Sequence, residues 1–296
     1  MARRLEGVKP RRRVIAPRVP PGRTLKILRE HQAKALGWTA RTRLTTPRDA
    51  ERFLSKYGLA LRYAAAPTVP LASLRSASGP ANQAAALETS LHLTNHLLGT
   101  AQGIEVNVVG HRLVIVHRTL MPALYQLVRR GRPPTDQDGL SLAARTAYAL
   151  IVERREVAAG DVRRRLGAPA TARHDPAYEA LGELQRHLLV DRGPFVVPTS
   201  GIPYLSREGY PYHLFHEAHA DLVQTSRRIS RDAATDRLIG TYVGAAWFTA
   251  PRTLASLFGA FLTKGEILGS LERLTASGPL LRIPLGGHWL VGVEMP

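Results

Sequence analysis

Apolar positions recur along the chain at helical spacing, in blocks that Gly and Pro separate. Thr46 with Pro47 predicts a helix start, and Ala50, Phe53, Leu54 and Tyr57 then fall on one face before Gly58 stops it. Leu59 to Tyr63 reads as extended, 84–98 as a second helix. Ile104–Val109 and Leu113–Val116 read as a hairpin around Gly110-His111. Pro122 opens a short helix ending near Gly131, and Arg132 to Thr135 reads as a linker. From there an order repeats. Residues 140–154, Val162–Leu166 and the helix capped by Asp175 (Tyr178, Leu181, Leu184 and Leu188 apolar) precede strand, turn and strand over Leu189–Val197. Ser230, Thr249 with Pro251, and Thr263 then start three more helices. The last turns Ile267, Leu268, Leu271 and Leu274 inward, Gly278 stops it, and strands follow at 279–284 and 288–293. The two plans lie roughly ninety residues apart.

Three helices followed by a hairpin is the winged-helix variant of helix-turn-helix, whose third helix can enter the major groove. The expected fold is therefore α+β, mostly helical, with tandem winged-helix modules. The expected division is a basic disordered arm at 1–30, an N-terminal winged-helix-like domain at 31–135, a middle one at 136–225 and a C-terminal one at 226–296.

Charge decides what such modules would meet. The 296 residues hold 41 Lys and Arg against 23 Asp and Glu, a net +18. That excess attracts polyanions. Residues 1–30 supply ten of the cations against Glu6 and Glu30, a net +8, with Arg11, Arg12 and Arg13 as expected phosphate contacts. In the middle module Arg163, Arg164 and Arg165, then Gln185, Arg186 and His187 at the third helix's end, and Arg192 at the wing turn are the expected DNA contacts. Pairing of the arginine run with Glu153 and Glu156 is the plainer alternative. The last module offers Arg252, Lys264, Arg273 and Arg282, offset by Glu266 and Glu272; of these Arg252 and Lys264 are the expected contacts.

Cysteine is absent, which excludes disulfide-linked partners, thiolate catalysis and Cys-based metal centres, and fits the cytoplasm. No apolar run approaches about 18 residues, so no membrane partner is expected. His213, His216 and His219 stand at i, i+3 and i+6; a helix with histidines near the DNA or a module boundary is a plainer reading than a metal site. No Gly-x-Ser-x-Gly or phosphate-cradling glycine loop occurs, and no cofactor is expected. Trp38, Trp247 and Trp289 are dispersed, so they form no evident stacking platform.

Three stretches carry a family resemblance. Thr45-Thr-Pro-Arg-Asp-Ala-Glu-Arg-Phe-Leu-Ser-Lys-Tyr-Gly58 resembles the N-terminal segment of AlkZ-like (YcaQ-like) winged-helix proteins; 178–190 resembles their middle helix and strand, and 245–259 their last module. The resemblance implies three winged helices around a DNA-sized channel. In active members it also implies a glycosylase that removes alkylated or crosslinked bases. Those members place water with a Gln-x-Gln or Gln-x-Asp motif, and neither pattern occurs here. The equivalent stretch falls near Gly58 to Tyr63, where apolar side chains can neither orient water nor stabilise a cation. Asp136, Asp138, Glu153 and Glu183 are the nearby acids, with no evident partner. The sequence thus predicts a duplex DNA-binding protein of DNA repair or genome maintenance, cytoplasmic and nucleoid-associated. Its alternatives are an active glycosylase, a winged-helix transcription regulator and a purely structural interaction module.

Overall fold

In the computed structural model the described residues are 21–39, 43–65, 69–80, 84–167, 175–195, 210–285 and 288–293. Arg11, Arg12 and Arg13 lie outside them. Residues 21–30, assigned to a disordered arm by composition, instead begin α1 (Pro21–Ala35). Gln32 on this helix is buried, and its Nε2 donates to the carbonyls of Ala246 (3.1 Å) and Phe248 (2.8 Å). Leu28 packs on Phe248 and Leu290. α1 is thereby seated on the C-terminal part of the chain.

Three units follow the same order. The first comprises α2 (Pro47–Tyr57), β1 (Leu59–Leu61), β2 (Ala72–Ser73), α3 (Leu74–Ser78), α4 (Ala84–Gly99), β3 (Gly103–Val109) and β4 (Arg112–His117), and α5 (Met121–Arg129) leaves it. The second comprises α6 (Leu142–Arg154), β5 (Glu156–Ala158), α7 (Ala159–Arg165), α8 (Pro176–Arg186), β6 (Val190–Arg192) and β7 (Pro211–Leu214). After α9 (Phe215–Ala218) and α10 (Ala220–Ser226), the third comprises α11 (Arg231–Ala246), β8 (Phe248–Thr249), α12 (Pro251–Phe258), α13 (Lys264–Ala276), β9 (Leu281–Leu285) and β10 (His288–Gly292). In each unit the last strand lies between the other two: β1-β4-β3 with β2 added at the edge, β5-β7-β6, and β8-β10-β9. Helix, strand, two helices and a hairpin whose last strand pairs back to the first is the winged-helix plan.

Local chemistry explains the helices. Thr46 Oγ1 accepts from Asp49 N (3.2 Å) while Asp49 accepts from Thr46 N (3.3 Å), a reciprocal cap. The buried face of α2 is Ala50, Phe53, Leu54 and Tyr57, as its periodicity predicts. Ser141 and Ser230 cap α6 and α11 through the hydroxyl alone, and Thr263 caps α13 reciprocally with Glu266.

Two expectations fail. Of the hairpin predicted over 189–197, residues 196 and 197 lie outside the described residues, and the first strand, β6, pairs with β7 instead, antiparallel, in the register Val190↔Leu214, Asp191↔His213 and Arg192↔Tyr212. The three histidines do not share one helix, since His213 lies in β7, His216 in α9 and His219 at the break before α10.

The units are unequal in their packing. The first and third share one core, in which Leu54, Ile115 and Leu124 join Tyr242, Leu254 and Phe258. The second has its own around Tyr148, Ile151, Leu181 and Tyr212. The tip of the first hairpin is pinned to the third unit, because Gly110 N donates to Leu257 O at 2.7 Å. Its φ of +57° and a Leu257 methyl 3.2 Å from where a Cβ would stand both call for glycine.

A buried ion cluster ties the second unit to the first. Arg62, just past β1, meets Glu105 of β3 at 2.9 Å, and Arg192 of β6 meets the other carboxylate oxygen. Tyr210 accepts from Arg62, and its ring lies under both guanidinium groups, at 5.0 and 4.3 Å. Burial opposes charge on both arginines, but Glu105 outweighs it and holds them protonated. Removing one member of a buried pair costs about 3–5 kcal/mol. Glu105→Gln is expected to lose stability on that scale in urea unfolding; a loss below about 1 kcal/mol would show that the cluster does not hold the units.

Candidate nucleic-acid interface

Three of the expected contacts are interior. Arg163 is 5% exposed. Its guanidinium binds Asp175 at 2.5 Å. Asp175 also caps α8, accepting from Ala177 N (3.1 Å) and Tyr178 N (3.4 Å). Burial raises the Asp175 carboxyl, but the Arg163 hydrogen bond and charge outweigh it and hold the group below its usual range. Arg163 is therefore a clamp on the start of α8. Gln185 is 4% exposed and so cannot read a base edge as its side chain stands. Arg192 lies in the ion cluster with Glu105 and is 5% exposed. Residue type alone would place each of them outside, but a distant partner or the neighbouring unit covers it instead.

The others are accessible. Arg164 is exposed but bonded to Asp161 of its own helix (2.5 Å), rather than to Glu153 or Glu156. Arg165, Arg186, Arg252 and Lys264 are exposed, and His187 is half-buried at the end of α8. α8 has 11 residues, about 16 Å at 1.5 Å per residue. Arg163, tied to Asp175 at its start, thus stands a helix length from Arg186 and His187.

The end of α5, which the sequence pattern marks as a helix end near Gly131 followed by a linker, ties together the segments that carry Arg186, His187 and Lys264. Arg130 and Gly131 both take left-handed conformations (φ 51° and 75°) and stop the helix. Arg129 is buried; its Nη1 donates to His187 O at 3.2 Å, and its Nη2 to the carbonyls of Pro133 and Asp136. Arg130 Nη2 donates to Phe261 O (3.1 Å), which also accepts from Arg231 Nη2 (3.0 Å). The end of α5 therefore binds the end of α8 on one side and the turn before α13 on the other. Lys264 is the first residue of α13, where the helix dipole adds positive potential.

Three of the nearby acids are engaged. Asp136 faces Arg132 at 3.8 Å, Glu183 accepts from Ser141 N (2.8 Å) and Oγ (2.7 Å), and Glu266 binds Arg231 and the Thr263 cap. Among the described residues no salt bridge involves Lys264, and Glu183, bonded to Ser141, is the acid that feels the charge of Arg186. Burial, then Arg129, with Arg186 and Arg132 adding, pushes the His187 imidazole below its ordinary value against the pull of Glu183. Arg129 is lowered too, first by burial, with Arg132 adding. A run of Arg129, Arg130 and Arg132 at a helix end is a charge signal visible in the sequence.

The chemistry expected of the resembled family finds no site in 58–63. Leu59, Ala60 and Leu61 are the buried strand β1, Arg62 is in the ion cluster, and Tyr63 alone has an exposed polar side chain. His219 Nε2 meets Asp191 Oδ2 at 2.8 Å and His213 lies 3.8 Å from Glu156. Among the described residues no three His, Asp or Glu side chains could hold a metal ion. Among them, too, no helix is long and apolar enough to cross a membrane. Trp247 stacks on His31 of α1, and Arg282 lies over Trp289 at 4.5 Å.

Fold and topology define a mostly helical α+β protein of tandem winged-helix modules. The fold is AlkZ-like: it is similar to that of the Streptomyces sahachiroi DNA glycosylase AlkZ, with a TM-score of 0.54 and 11% identity, over 91% of this chain and 70% of that one. No family model and no curated protein matches the chain.

Glu266 offers a pH test of the junction. Its hydrogen bonds to Arg231 and Thr263 lower its pKa to about 2. Because the folded value is depressed, its contribution is present above the unfolded carboxylate pKa, about 4.3, and fades as pH falls toward 2. The stability difference between wild type and Glu266→Gln should shrink between about pH 5 and pH 2. A difference independent of pH would contradict the pairing.

Proposed function

We propose that the chain binds duplex DNA, in DNA repair or genome maintenance, through the junction of α5, α8 and α13. The observation that carries this reading is the tie from the end of α5 to the carbonyls of His187 and Phe261, which holds the segments bearing Arg130, Arg132, Arg186, His187 and Lys264 on either side of it, with Asp136, Glu183 and Glu266 already engaged. Arg forks suit phosphate oxygens, and a site of this kind recognises backbone and shape more than sequence. Arg164, Arg165 and Arg252 add outlying phosphate contacts, and Arg11, Arg12 and Arg13 trail a further charge along the duplex. The working division is the three modules 31–135, 136–225 and 226–296 behind a basic arm, now without 21–30. The cytoplasm, on the nucleoid, is the place this function implies.

On this reading the protein lacks the base-excision chemistry of its relatives. No Gln-x-Gln or Gln-x-Asp occurs in the chain, and the stretch resembling that motif's surroundings is buried. The glycosylase alternative draws on the similar fold of AlkZ. Incubation with alkylated or crosslinked duplex decides between them: intact DNA is expected, and abasic product abolished by a substitution in the first unit would restore the enzyme.

Affinity for a short duplex, read by fluorescence anisotropy, should fall by more than about tenfold in the triple variant Arg130→Glu, Arg186→Glu, Lys264→Glu. The slope of log K against log salt should flatten by about 0.9 for each phosphate that is no longer neutralised. Unchanged affinity would place the interface elsewhere.

A further inference from the structure

A cleft with charged residues in its lining lies on the first unit. It is an open cleft of ≈ 410 Å³ between α2 and the base of the β3–β4 hairpin, lined by Glu51, Arg52, Ser55, Lys56, Gln102 and His117. We infer that this cleft binds the phosphoryl group of a nucleotide-sized ligand.

The charge balance supports an anion. Glu51, the only acid in the lining, is bonded to His96 at 2.8 Å. Arg52 pairs with Asp49 at 3.6 Å, and Lys56 lies over the Tyr57 ring at 5.1 Å with no acid bonded to it among the described residues. Two cations thus face the cleft against one engaged carboxylate. Neutral donors complete the set. His117 Nδ1 is engaged by Thr119, whose Oγ1 lies at 2.8 Å and whose N lies at 3.4 Å, so Nε2 is the ring nitrogen left for the cleft. Ser55 and the Gln102 amide add further donors.

The walls are fixed in advance, which lowers the cost of binding. Thr46 and Asp49 cap α2. His117 N donates to Gly58 O (2.8 Å) and Arg118 N to Gln102 O (3.0 Å). Gly103 sits so tightly that a Cβ there would meet Ile115 at 2.5 Å and Leu54 at 2.9 Å. The volume suits a mononucleotide, within the range of small-ligand sites.

His117 is the reporter. Burial, then Arg118, pushes it below its ordinary value. Glu51, Arg52 and Lys56 face it from α2 across the cleft. A bound phosphoryl group should raise the His117 pKa by about one unit or more, followed by NMR of the full-length chain. The probes are inorganic phosphate, deoxyadenosine 5′-monophosphate, and a single-stranded oligonucleotide with a 5′-phosphate or a 5′-hydroxyl. A rise with phosphate and nucleotide alone identifies a free nucleotide; a rise with the 5′-phosphorylated strand but not the 5′-hydroxyl strand identifies a nucleic-acid end. Arg52→Ala with Lys56→Ala should abolish either response, and both positions are exposed, so the fold is retained. An unmoved His117 in every arm, or the same rise in the double variant, overturns the proposal. Duplex affinity measured beside it reports on the α5 junction separately.

Discussion

Glu105 has no exposed side-chain surface, and a carboxylate buried that deeply cannot stay ionised without close partners. It has two, and they come from different places. Arg62 follows the first strand of the first unit, and Arg192 ends a strand of the second. A single buried acid therefore needs both units in one arrangement. The cost of leaving either guanidinium unmet is larger than most surface contacts could offset. With the first and third units already joined through a common core, this cluster fixes the remaining degree of freedom. The ends of α5, α8 and α13 can then keep one geometry.

That arrangement explains why the charge is useful where it is. Arg129 spends its donors on backbone carbonyls, and Arg231 reaches Leu127, Phe261 and Glu266. These buried or half-buried arginines build the junction. Arg130, Arg132, Arg186 and Lys264 remain at its surface. The first hairpin, a wing by topology, is by contrast pinned to α12 and does not stand clear of the protein.

Much of the fold was legible because it is local. The cap at Thr46, the apolar face of α2, the Pro-started helices and the β3–β4 hairpin all depend on neighbours within a few residues. β5 and β8 were not legible, since strands of three and two residues between helices carry no period. β7 was missed for a related reason: its partner β6 is distant in sequence, and His213 to His219 mimics helical spacing. The site divided the same way. Arg186 and Lys264 were found as exposed cations at helix ends. Arg163, Gln185 and Arg192 were misplaced, because Arg and Gln are usually exposed and only Asp175, Glu105 or a packed neighbouring unit makes them interior. Arg130, near the end of an expected helix, and Arg132, in the expected linker, were passed over, although their charge was in plain view.

The most direct test of the central claim is hydrogen–deuterium exchange of the full chain with and without a short duplex. The account predicts that DNA protects the backbone of 129–133, 184–188 and 261–266 together, the three segments that α5 brings to one place. Protection confined to α7 or to the β9–β10 hairpin, with those three segments unchanged, would contradict it.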